Sequence, residues 1–110
     1  MSAITAIPVS ITPDAASQVG KLGIQPQLEQ MIEHTRNNVA GLRCIEVFLE
    51  PRYGKPGEEP AVTVLATRDD PHLEDDPIGR QLARWEATTF PPDVCRHIGI
   101  SIHYETADAG

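Results

Sequence analysis

Aromatic side chains and lysines are scarce in this chain of 110 residues, which has two Phe, two Tyr and one Trp, and Lys only at positions 21 and 55. With a net charge of −7, so few stacking rings leave no platform for single strands and no cationic track for a phosphate backbone or an anionic lipid surface. Nucleic acid and membrane are therefore excluded as expected direct partners. No apolar run approaches the roughly 18 residues that a membrane-spanning helix requires. Residues 1–8 lack the positive charge and sustained apolar core of a secretory signal, so cytoplasmic residence is the expectation. Cysteine is sparse as well. Cys44 and Cys95 both fall within expected strands, where the usual role is a small, buried, reduced thiol, and no disulfide framework is expected.

What the chain does contain is an ordinary globular balance of 40% hydrophobic and 23% charged residues, far from the compositions that stay disordered. At this length one core is expected, in a single α+β domain covering 1–110, with residues 1–3 and 106–110 loose. Periodicity then sets the elements. Ile98, Ile100, Ile102 and Tyr104 alternate with His97, Gly99, Ser101, His103 and Glu105, the pattern of a strand with one apolar and one polar face. Residues 42–50 read as a second strand, with Ile45, Val47 and Leu49 inward and Cys44, Glu46, Phe48 and Glu50 on the other side. Residues 51–60, rich in Pro and Gly, read as a surface connection to a returning strand over 61–67, giving an antiparallel hairpin. Residues 4–11 alternate weakly, and Pro8 confines them to a sheet edge or an extended arm.

Three helices complete the pattern. Thr12 caps the first, which opens on Pro13 and stops at Gly23 with Ala15, Val19 and Leu22 inward. The second runs from about Pro26 to Asn38, with Leu28, Met31, Ile32 and Thr35 on one face and His34 on the solvated side. The third opens at Pro77 with Asp76 as cap, and Ile78, Leu82 and Trp85 form its stripe. The expected fold is thus an α+β two-layer sandwich, a mainly antiparallel sheet of three to four strands with two to three helices on one face.

The polar display of the last strand carries the candidate chemistry. A catalytic reading uses His103, Glu105 and Cys95, with His103 and a carboxylate as base and orienter. A metal reading uses Cys95, His97, His103 and Glu105, but His97 and His103 lie about 20 Å apart along an extended strand and cannot share one ion. No nucleophile elbow, zinc-protease helix, calcium loop or phosphate loop is present: residues 69–76 lack the glycine and terminal glutamate of a calcium site, and Gly54-Lys55 has neither the spacing nor the following helix of a phosphate site. No cofactor is expected. Arg80 and Arg84 on one helix face read as a solvated, carboxylate-paired surface.

The expected binding residues are His97, Ser101, His103 and Glu105 on the last strand, and Arg52 and Tyr53 at the loop tip. A sheet face carrying Phe48, Cys44 and the Gly99, Ser101, His103 row is unusually mild for a surface exposed to water, and helices serve only one side of such a sheet. The expectation is a non-enzymatic interaction protein whose partner is a protein or a second copy of itself, met through the open face or the last strand. The alternative is a small enzyme or ligand-binding protein with a pocket lined by His and Glu on that same face.

Overall fold

The computed structural model describes residues 7–50, 60–70 and 76–105. It is an α+β fold with β1 (Val9–Ile11), α1 (Pro13–Leu22), α2 (Gln25–Asn38), β2 (Leu42–Glu50), β3 (Ala61–Asp69), α3 (Ile78–Thr89), α4 (Pro92–Cys95) and β4 (Ile98–Glu105). The four strands lie in the order β1-β2-β3-β4.

The sheet is mixed rather than mainly antiparallel. The hairpin β2–β3 is antiparallel, but β1–β2 and β3–β4 are both parallel. The reason lies in the connections. Each parallel pair is joined by helices that carry the chain back to the end where the previous strand began, α1 and α2 in the first case, α3 and α4 in the second. A parallel neighbour requires such a crossover, whereas a short loop permits only the antiparallel partner. The fold is therefore two strand-helix-helix-strand halves joined by one hairpin.

Local chemistry sets the element ends. Thr12 Oγ1 accepts the Ala15 N–H at 3.2 Å, Pro13 occupies the first turn, and Gly23 closes α1 with φ +70°, a left-handed cap that costs glycine little. Pro77 occupies the N-cap position of α3 rather than its first turn, and Asp76, one residue ahead of it, still accepts the Ile78 N–H at its Oδ1 at 3.3 Å. The last strand starts later than the alternation suggests. Pro92 initiates the single helical turn α4, which puts Cys95 in that turn and His97 in the bend before β4. Neither is part of the strand, because a residue already committed to helical hydrogen bonds cannot extend the pleat.

All the packing helices lie on one side. Ala15, Val19, Leu28, Met31, Phe90 and Val94 bury Ile45, Val47, Val62, Val64 and Ile98 beneath them. A smaller cluster of Val39, Ile78 and Leu82 packs against Leu42, Ile100 and Ile102. Two further departures concern single side chains. His34 is half-buried rather than freely solvated: its ring stacks on Trp85 with centroids 3.7 Å apart and planes within 6°, joining α2 to α3. Strand β3 continues past residue 67 to include Arg68, which keeps the inward phase of Val62, Val64 and Ala66 and is only 9% exposed. No described helix is long and apolar enough to cross a membrane.

Candidate interaction surface

Strand alternation and register build the uncovered face in rows. Phe48, Thr63 and Gly99 form one row; Ser10, Glu46, Leu65 and Ser101 the next; Cys44, Thr67 and His103 a third. Beyond them stand Asp69 and Glu105. Most of the middle of this surface is apolar or weakly polar, with the exposed carboxylate of Glu46 standing beside Leu65. Phe48, Cys44 and Leu65 are half-buried, and Thr63 and Thr67 are 8% and 6% exposed, shielded by their own neighbours.

The remaining charged groups stand at the ends. The register between β2 and β3 shifts between Leu42 and Cys44, a bulge that lets Leu42 pack into the core while Arg43 reaches Asp69 and Glu105 on the open side. Arg43 Nε donates to Asp69 Oδ1, and its Nη1 lies 3.1 Å from Glu105 Oε1. The bond to Asp69 raises the guanidinium pKa further above its usual value. At the opposite end Thr63 Oγ1 donates to Glu50 Oε2 at 2.9 Å, folding that carboxylate against the sheet.

The structure thus brings Ser101, His103 and Glu105 onto one face, as β4 alternation requires, and separates them from Cys95 and His97. Cys95 lies beside the end of α3, where its Sγ donates to the carbonyl oxygens of Glu86 at 3.6 Å and Phe90 at 3.8 Å. Burial, followed by the charge of Glu86, raises its pKa, which disfavours the thiolate that a nucleophile needs. Cys44 shares a row with His103, yet β3 intervenes and sets their backbones about 9–10 Å apart. Glu105, the other half of the candidate pair, is held by Arg43 rather than directed at His103. Among the described residues no three His, Cys, Asp or Glu side chains converge in a way that could hold a metal ion. Arg52 and Tyr53 lie outside the described residues.

Two arrangements escaped the sequence reading. On the covered side Arg68 Nη1 meets Asp76 Oδ2 at 3.2 Å, both side chains 11% exposed, and Tyr104 donates its hydroxyl to the same oxygen at 2.7 Å. That bond, then burial, raises the Tyr104 pKa, so the phenol is a donor in a structural clamp and is poorly suited to act as a base. The signal was available: Arg68 continues the apolar phase of β3, and an inward arginine demands a carboxylate. The second is Glu86, half-buried, whose Oε1 accepts the Ile100 N–H at 3.1 Å. Nothing in the periodicity of α3 distinguishes it. The open depression lined by Pro77, Arg80, Gln81, Arg84, Trp85 and Thr88 runs along α3 and includes none of the candidate residues of β4.

No family model matches this chain, and neither a curated protein nor a solved structure shows a significant similarity to it.

Proposed function

We propose that this protein is a non-enzymatic interaction module of the cytoplasm that associates with a second copy of itself through the open face of its sheet. The observation that carries the reading is the asymmetry of the sheet: every packing helix lies on one side, while the other side presents Phe48, Leu65, Cys44, Thr63 and Thr67 around a single exposed carboxylate, Glu46. A largely apolar centre within a polar rim accords with the anatomy of a protein interface. The unpaired thiols of Cys44 and Cys95 accord with a reducing compartment.

The enzyme or ligand-binding alternative draws less support, since Glu105 is engaged by Arg43 rather than by His103.

Native mass spectrometry of the purified protein tests the proposal. The expected result is a mass of two chains with nothing else bound, reduced to one chain in Leu65→Arg, and weakened association in His103→Ala. A single-chain mass at tens of micromolar would sink the reading. Retention of a small molecule that His103→Ala releases, with assembly unaffected, would replace it with the pocket alternative.

A further inference from the structure

Strand β4 is the sheet's edge, and its hydrogen bonds fix which backbone groups face outward. The His97 and Glu105 carbonyls turn toward β3, accepting from Val62 at 2.8 Å and Asp70 at 3.1 Å. Residues of the opposite phase, Ile98, Ile100, Ile102 and Tyr104, therefore direct their backbone groups away from the sheet. Such a row is a ready template for another strand. Its self-complementarity is plain: in an antiparallel pair of β4 strands, Ile102 would face its own copy across a two-fold axis, with Ile100 opposite Tyr104 on either side. Tyr104, 39% exposed and one of the two exposed large hydrophobic residues among those described, would be covered in the process.

One side chain stands in the way. Glu86 reaches from α3 to the outward Ile100 N–H, and Ile100 is a pairing position in that self-complementary register. Its carboxyl pKa is raised by burial, against the opposing effect of the Ile100 bond, so the site disfavours the charged carboxylate. A neutral acceptor would satisfy the same N–H at lower cost. What a carboxylate adds is a charge that an incoming strand must displace or bury, one of the ways natural sheets protect an edge.

We propose that Glu86 is an edge guard, closing β4 to strand addition by a second copy of β4. This assignment stands apart from the open-face association, because it concerns the perpendicular direction of growth and predicts a change relative to whatever assembly the unaltered protein forms.

The test is light scattering of Glu86→Ala beside the unaltered protein at matched concentration, with amide exchange at Ile102. Glu86→Ala is expected to double the assembly mass and to slow exchange at Ile102. Glu86→Leu, which fills similar volume without an acceptor, gives the same readout should the alanine variant be less stable. Adding Ile102→Pro removes an outward N–H that β3 does not use, and it is expected to return the mass to that of the unaltered protein. The proposal is overturned if both folded Glu86 variants keep the original mass, or if they assemble and Ile102→Pro leaves that assembly intact.

Discussion

Arg68 and Asp69 are consecutive residues of β3, yet each belongs to an ionic cluster on an opposite side of the same sheet. On the covered side, Arg68 and Asp76 are each 11% exposed and share Tyr104 as a third member. On the open side, Arg43, Asp69 and Glu105 form a comparable triad with side chains 40%, 50% and 51% exposed. Identical chemistry has different consequences in the two places. Arg68 and Asp76, in their low-dielectric setting, depend on each other for solvation, whereas at the surface water replaces a lost partner. The covered side is thus built for stability, and the open side has polar groups that can be rearranged against a partner at little cost.

The largest expected effect comes from breaking the covered cluster. Asp76→Ala removes the carboxylate paired with Arg68 Nη1, frees the Tyr104 hydroxyl and releases the Ile78 N–H, and should lower unfolding free energy by about 3–5 kcal/mol in urea titration. Arg43→Ala, measured in the same way, should leave the midpoint unchanged. Equal losses in the two variants would erase the distinction between the faces.

The apolar residues sharpen the same contrast. Ile45→Ala, at a fully buried core position, should cost about 2–5 kcal/mol. Leu65→Ser on the open side should cost within about 1 kcal/mol when the monomeric state is compared, while weakening association. A Leu65 variant as destabilised as the Ile45 variant would mean that the open face is part of the core.

A smaller effect is electrostatic. Glu86 has a folded-state pKa raised above its ordinary value of 4.5, so the native state holds that proton more tightly than the unfolded chain. The associated stability is fully present below the ordinary carboxyl pKa and is lost as pH rises through the folded value. Glu86→Gln should remove this slope from the stability profile over mildly acidic pH, and an unchanged slope would place its origin elsewhere. His34 has the opposite sign. Burial against Trp85 lowers its pKa from 6.5, so its contribution is present above pH 6.5 and is lost as pH falls through the folded value. Since Trp85 is the sole tryptophan, its fluorescence should change through that acid range and cease to do so in His34→Ala.

Much of this architecture was legible in the sequence. The period-two runs at 42–50 and 98–105, the caps at Thr12 and Gly23, and the inward sets Ile45, Val47 and Ile98, Ile100 all reflect local rules that the structure obeys. Strand direction was not legible, because apolar alternation is the same in parallel and antiparallel neighbours and only the crossover decides between them. The beginning of β4 was obscured by Pro92, which starts a helical turn as readily as it ends one. The bulge that turns Arg43 outward leaves no mark in composition, and the His34 and Glu86 contacts arise between elements distant in sequence. The open face itself was foreseen from the mildness of Phe48, Cys44, Gly99 and Ser101, although the pairing of Glu105 with Arg43 was not.

The most direct test of association through the open face uses its own cysteine. Cys44 lies in the middle of that face and Cys95 lies beside α3, remote from it, so the two thiols report on different surfaces of one molecule. Alkylation rates for each can be read by peptide mass spectrometry across a protein dilution series. The account predicts that Cys44 labels more slowly as concentration rises, that Leu65→Arg abolishes this protection, and that Cys95 labels at a constant rate throughout. A Cys44 rate independent of concentration, at concentrations where the chain is associated, would contradict it.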